Sequence, residues 1–324
     1  MNRRDFVSGL ALAVLTAPLD AQAQQERAGK RVGMLSPPEP FTALDTIRSG
    51  LRELGWTETG GVRLEYRSSE GYDERFPALA ADLVGLKVDV IIAATVPAIR
   101  AAQRATTTIP IVMVLSSDPV RLGLVKSLAR PGGNTTGPAA LTFDLAPKRL
   151  ELFKETIPKL RQIAVLSNPA NPAVREGLTQ TEVAGRTLGV GVRSFEVREP
   201  AHLDTAFAAI VRARPDGLLV VPDPLISTHT PRIVEFAEEN RLPSMWGVSH
   251  SVRAGGLIAF GIDYAEHVRA SLRYVDKILK GAKPGDLPVE QPTKFELVIN
   301  MKTAKALGLT IPPSLLLRAD QVIE

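Results

Sequence analysis

The chain has 324 residues, 44% hydrophobic and 23% charged, which excludes wholesale disorder and suits two domains of ordinary size. A net charge of +4 over that length, with only 5% aromatic residues, excludes a basic, base-stacking surface for nucleic acid. Cysteine is absent, so disulfides, thiolate metal sites, a cysteine nucleophile and a lipid-modified N-terminal cysteine are excluded together.

The first element in chain order is a targeting segment. Arg3-Arg4 precede an apolar stretch from Phe6 to Leu19 that ends in Ala21-Gln22-Ala23, the charged, apolar and small-residue plan of an export signal over residues 1–23. Fourteen residues at ~1.5 Å rise cover about 21 Å, short of the ~30 Å hydrocarbon core, so a permanent membrane helix is the weaker reading. The arginine pair fits the twin-arginine route for folded proteins, with an ordinary secretory signal as the alternative. Cleavage near Ala23 leaves a soluble periplasmic chain, not a lipoprotein. No later apolar run reaches the ~18 residues of a membrane span.

Strand and helix signals then alternate. Val32 to Ser36 reads as a buried parallel strand, and Leu44, Ile47, Leu51 and Leu54 as one helical stripe. Val62, Leu64 and Tyr66 predict a strand; Leu79, Leu83 and Leu86 a helix. Val88 to Thr95 is again a strand, Pro97 to Ala105 a helix, and Ile109 to Ser117 a strand. This alternation predicts βαβ units on a parallel sheet.

The series returns once. Arg31–Ser36 is echoed by Gln162–Ser167 at an offset of 131, Val62-Arg63 by Val192-Arg193 at 130, Asp89 with its strand by Asp216 at 127, and Ile109-Pro110 by Leu242-Pro243 at 133. The predicted fold class is therefore α/β, with two similar Rossmann-like lobes on parallel sheets and a ligand cleft between them. The expected division is an N-terminal lobe of residues 29–143 completed by about 264–294, and a C-terminal lobe of 144–263. Residues of about 295–324 are expected to complete the C-terminal lobe. Multiple crossovers between the lobes would act as a hinge.

Open parallel sheets bind ligands beyond the carboxyl ends of their strands. Those ends present Ser36, Thr95, Ser116, Ser117, Asp118, Asn168, Asp223, Trp246, Asp263 and Tyr264 as candidate ligand contacts. Several precede proline, so each is equally a helix cap in its own right. Three acids without a lysine or arginine among them favour a ligand carrying an amine or many hydroxyls. Trp246 would add an apolar or cation-attracting face. Asp118 and Asp223 are expected to face each other across the cleft. No catalytic residue, cofactor or metal site is predicted. His202, His229, His250 and His267 lack metal-ligand spacing, and hydrolase, phosphate-loop and dinucleotide patterns are missing.

Three stretches carry a resemblance. They are Asp118-Pro119-Val120 with Gly123-Leu124-Val125 and Ser127 to Gly137; Lys148-Arg149-Leu150-Glu151-Leu152; and the tail from Val275 to Pro284, Gln291 to Asn300 and Ile311 to Ser314. The chain resembles the extracytoplasmic substrate-binding proteins of ABC transporters, in the subgroup related to tryptophan- and tyrosine-binding receptors. That resemblance implies a periplasmic-binding-protein fold of type I, capture of a small molecule by lobe closure and no catalysed reaction. It also implies an ABC permease and its cytoplasmic ATPase as partners, with membrane contact only through the permease. The expected ligand is an amino acid or related amphiphile, and the expected protein a monomer. The competing readings are a ligand sensor for a membrane signalling protein and a secreted α/β enzyme.

Overall fold

The computed structural model describes residues 29–38, 44–57, 60–140, 144–292 and 294–324. The export segment and its expected cleavage site lie outside the described residues.

The first sheet is built from the apolar runs read above. Its elements are β1 (Lys30–Ser36), α1 (Leu44–Glu53), β2 (Val62–Ser68), a short 3-10 turn (Asp73–Arg75), α2 (Phe76–Gly85), β3 (Val90–Thr95), α3 (Val96–Ala105), β4 (Ile111–Leu115) and the short β5 (Thr135–Thr136). All pairings are parallel, in the order β2-β1-β3-β4-β5. β3 is buried along its whole length, which is why it reads as a continuous Val-Ile-Ile-Ala-Ala run rather than an alternating one.

The second lobe follows the same plan. It contains α4 (Ala146–Thr156), β6 (Gln162–Ser167), α5 (Pro172–Leu188), β7 (Gly191–Glu196), α6 (His202–Ala213), β8 (Gly217–Val220), α7 (Pro224–Thr228), α8 (Thr230–Glu239), β9 (Ser244–Trp246), α9 (Ser249–Arg253) and β10 (Ile258–Ile262). The chain continues through α10 (Tyr264–Leu279), β11 (Phe295–Asn300), α11 (Met301–Ala306), α12 (Pro313–Arg318) and β12 (Gln321–Ile323). The seven-stranded sheet runs β7-β6-β8-β9-β10-β11-β12, so its first five strands repeat the order of the first sheet. Only the β10–β11 pairing is antiparallel.

Strand registers give the repeat its measure. Val32 pairs with Val90 as Ile163 pairs with Gly217, and Ile91 pairs with Ile111 as Leu218 pairs with Ser244. These reproduce the offsets of 131, 127 and 133. The edge strand differs: Val32 faces Leu64 whereas Ile163 faces Val192, an offset of 128 rather than 130. A slip of two residues keeps every side chain on its face, so an edge strand tolerates it. Asp89 and Asp216 are also equivalent in use. Asp89 accepts from the Arg31 amide at 2.7 Å and Lys30 Nζ at 3.1 Å, and Asp216 accepts from the Arg161 and Gln162 amides at 2.8 Å. Each carboxylate thus pins the start of its lobe's first strand.

The tail divides between the lobes. Val268, Leu272 and Val275 of α10 pack with Val32, Met34 and Ile92 on the first sheet. Gly50 on α1 permits this approach, since a Cβ there would lie 2.4 Å from the Leu272 side chain. β11 and β12 instead extend the second sheet. The chain therefore passes between lobes after β5, at Ile262–Tyr264 and before β11. The first and last passages touch, with the Ala139 amide donating to the Glu290 carbonyl at 2.8 Å.

Candidate ligand cleft

Parallel strands end together, so the loops at their carboxyl ends and the helices that follow gather on one side of each sheet. Between the two sets lies a cavity of about 220 Å³, lined from the first lobe by Ser69, Tyr72 and Asp73 and from the second by Asn168, Arg198 and Asp223. Larger hollows beside Trp56 and beside His202 belong each to the surface of a single lobe.

Asp223 is the most constrained group here. It caps α7, its Oδ1 accepting from the Leu225 and Ile226 amides at 3.0 and 3.4 Å, while Asn171 Nδ2 donates to Oδ2 at 3.0 Å. Asn168 Nδ2 adds longer bonds at 3.3 and 3.5 Å. The two asparagines are themselves fixed, because their Oδ1 atoms accept from Ala170 and Ala173 amides. Burial pushes the Asp223 carboxyl up and these hydrogen bonds pull it back, burial being the larger effect. No lysine or arginine bonds to it among the described residues. It is both cap and cavity wall.

Asp73 answers it from the other lobe. The side chain keeps an exposed face, yet protein on both sides thins the water around it. Its pKa is pushed up to about 6, chiefly by that loss of solvent and then by the charges of Asp223 and Glu74. The neighbouring Tyr72 is 46% exposed, with Arg75 stacked over its ring at 4.6 Å. Arg198, the cation in the cavity wall, is held by Glu196 at 2.9 Å.

The other sequence candidates scatter. Asp118 does not line the cavity that Asp223 shares with Asp73. It lies beyond β4, accepting from the Val120 and Arg121 amides at 3.0 and 2.9 Å, with Arg121 Nε 3.6 Å away. The reason is topological: Asp223 follows the third strand of its lobe and Asp118 the fourth, so they are not counterparts. Trp246 sits in the second-lobe core at 2% exposure, its Nε1 donating to Ser244 Oγ at 2.8 Å. Asp263 caps α10 through the Glu266 amide at 3.0 Å and borders a different cavity, about 190 Å³, with Pro138, His267 and Glu290 at the crossovers. Tyr264 packs on the first-lobe core. Ser36, Thr95, Ser116 and Ser117 are buried at the first lobe's strand ends, and Asn168 braces Asp223. Ser69, Tyr72, Asp73 and Arg198 escaped the sequence reading. They follow β2 and β7, the equivalent edge strands of the two sheets.

Arg149, from the second resembling stretch, lies on α4. It is buried, its Nε donates to the Phe260 carbonyl at 2.7 Å, and burial lowers its pKa to about 9.

Two pseudo-equivalent sheets meeting at their strand ends over a shared cavity, with the chain crossing repeatedly between them, define a binding protein of the periplasmic type I class. Residues 33–323 match the family described as ABC transporter substrate binding protein, and the chain belongs to it. A tyrosine-binding protein of Clostridioides difficile is 30% identical over 272 residues, 82% of this chain and 78% of the relative. Among solved structures, the ABC domain in complex with L-Trp from Streptococcus pneumonia is 28% identical with a TM-score of 0.81, covering 91% of this chain and all of that one. The ligand-free, open structure of a substrate binding protein with adhesive properties from Clostridium difficile is 27% identical with a TM-score of 0.63, covering 91% of this chain and 99% of that one. The family and these relatives are ligand-binding proteins, not enzymes, and they typically work outside the cytoplasm. Among the described residues no helix is long and apolar enough to cross a membrane.

Proposed function

We propose that this protein is a periplasmic receptor that closes its two lobes on an amino acid, aromatic by preference, and delivers it to an ABC permease and ATPase. The observation that carries this is Asp223, a buried carboxylate in the cavity wall with Asp73 facing it and no cationic partner among the described residues. Two acids on opposite lobes attract one ammonium, which would then join the lobes. Tyr72 supplies an exposed ring for an apolar or aromatic side chain. The tyrosine- and tryptophan-binding relatives support the ligand class. Closure is supported by the greater likeness to the tryptophan complex than to the open, ligand-free relative of similar identity. Export rests on Arg3-Arg4 and Ala21-Gln22-Ala23.

A thermal-shift and calorimetry panel of amino acids on the mature protein tests the reading. L-tyrosine or L-tryptophan should bind, and at 100 times its dissociation constant should add about 2.7 kcal/mol of stability. Binding of sugars or nucleosides alone would refute it. N-terminal sequencing of the periplasmic form should begin near Gln24.

A further inference from the structure

A hollow of about 350 Å³ lies on the first lobe between α1 and the edge strand β2. The sequence builds its walls locally. Gly55 takes a positive φ of 88° where α1 ends, its amide donating to the Arg52 carbonyl at 3.0 Å and the Trp56 amide to the Leu51 carbonyl at 2.9 Å. This is the pattern of a glycine C-cap, which turns the next residue back towards the last helical turn, so Trp56 and Leu51 line one hollow. The indole is fixed there by its Nε1, which donates to Asp276 Oδ1 on α10 at 2.9 Å. Val62 and Leu64, two apart on β2 and therefore on one face, complete the apolar lining.

Two observations set this hollow apart. The first is the comparison between lobes. Leu64 and Val192 are counterparts, since Val32 faces one and Ile163 the other. Val192 packs on the second-lobe core beside α5, whose 17 residues bring Gly185 so near that a Cβ there would lie 2.6 Å from the Val192 side chain. α1 has only 10 residues, and the space beside Leu64 stays open. The second is charge. Arg48 and Arg52 lie one turn apart on α1 and both line the hollow, with no acid among the described lining residues. Among the described residues Arg48 has only the exposed Asp45 at 3.9 Å, and Arg52 has no ion pair. Like charges at this spacing cost a helix stability, a cost that an anion between them would remove.

We propose that this hollow binds a small amphiphilic carboxylate, its apolar chain against Leu51, Trp56, Val62 and Leu64 and its acid group between Arg48 and Arg52. A guanidinium presents a planar fork that matches both oxygens of a carboxylate, and the apolar floor rewards a chain or ring behind it. The arginines repel an amine. The volume lies within the range of small-molecule sites. This site is separate from the cleft. Val62 pairs with Lys30 where both strands begin, whereas Ser69 and Tyr72 of the cleft follow the other end of β2, about 20 Å along the strand. The inference is independent of the ligand proposed for the cleft.

The test uses the protein's own fluorescence. The chain has two tryptophans, and Trp246 is buried in the second-lobe core, so quenching of the half-buried Trp56 reports on the hollow. The probe is 10-bromodecanoate, whose heavy atom quenches a nearby indole, with 10-bromodecanol as its uncharged counterpart. Both are titrated into the mature protein with and without L-tyrosine. The carboxylate should quench saturably and the alcohol more weakly, and L-tyrosine should change neither. Trp56→Phe should abolish the quenching. Arg48→Gln and Arg52→Gln should each weaken the carboxylate about 5- to 10-fold, and the double variant should bring it down to the level of the alcohol. Both side chains are exposed, so the double variant should melt no lower than the wild type, which separates lost binding from misfolding. Equal quenching by the alcohol in the wild type, or unchanged carboxylate affinity in the double variant, would reduce the hollow to an apolar surface and overturn the site. Loss of quenching on adding L-tyrosine would place the probe in the cleft and overturn it as well. So would quenching that persists in Trp56→Phe.

Discussion

Asp223 combines two tasks that its substitutions should separate. As a cap it satisfies two amides of α7, and as a cavity wall it would present charge to the proposed amine. Asp223→Ala should cost about 1–2 kcal/mol of stability, because the cap is lost and Asn171 loses its acceptor. Asp223→Asn keeps an oxygen for the amides and removes the buried charge, which offsets the loss of Asn171's acceptor, so it should cost less stability than Asp223→Ala while affinity for an amino acid falls roughly 30- to several-thousand-fold. The pH dependence follows from the raised carboxyl. Its folded pKa lies above the ordinary 3.8, so the penalty for burying the charge is absent below that value and grows as pH rises through the folded pKa. Ligand-free stability from this group therefore declines with rising pH in that window, whereas affinity for an ammonium ligand increases. Calorimetry and melting curves across pH 4–8 should show both trends in the wild type and weaker ones in Asp223→Asn, where Asp73 with its pKa raised to about 6 still titrates.

Two elements set how the lobes are joined. α10 belongs to the first lobe by packing, and His267 on it bonds the Val114 carbonyl of β4 at 2.6 Å. Burial lowers the His267 pKa, with that hydrogen bond partly opposing the shift. A lowered histidine is neutral when folded, so its contribution is fully present above the ordinary 6.5 and is lost as pH falls through the folded value. Thermal melts of His267→Gln against wild type should show a shallower loss of stability between pH 7 and 4 in the variant. α4 is anchored by Arg149 against the Phe260 carbonyl, where β10 approaches the second passage between lobes. Arg149→Ala removes a buried donor and opens space, and should cost about 3 kcal/mol in denaturant titration. Arg149→Met, which fills the space without a buried charge, should cost less.

At the scale of the whole molecule, Arg121 spans the two lobes. Its Nη1 lies 3.0 Å from Glu176 on α5 and its Nη2 3.0 Å from Asp144, while Nε lies 3.6 Å from Asp118 of its own lobe. These side chains are 37–44% exposed, so each pair is worth little to folding and is screened by salt. On the proposed lobe closure, a few tenths of a kcal/mol would still shift the balance between open and closed forms. Arg121→Ala should leave the melting temperature nearly unchanged, enlarge the ligand-free radius of gyration in small-angle scattering and speed ligand release. Raising salt should move the wild type in the same direction and leave the variant unaffected. An unchanged radius and release rate would assign Arg121 to surface solvation.

Much of this architecture was legible because its signals are local and repeated. Apolar runs buried on both faces mark the central strands, helical stripes mark the covering helices, and Asp89 and Asp216 recur because each lobe must pin its first strand in the same way. The cleft was legible in part: the strand ends carry Asp223, Asn168, Ser36, Thr95 and Ser116 in the sequence, since topology alone brings those ends together. Which of them share a cavity was decided by the lobes' relative placement. Trp246 went to the core because β9 is interior to its sheet, and Asp118 stands outside the cavity lining because its strand is not the counterpart of β8. Asp73 and Tyr72 gained their place from a turn after an edge strand whose meaning exists only once the second lobe lies opposite. Sequence determined the strands, the repeat and the caps through short-range physics, whereas the pairing of charges across the cleft arises from contacts between lobes and was decided by tertiary structure alone.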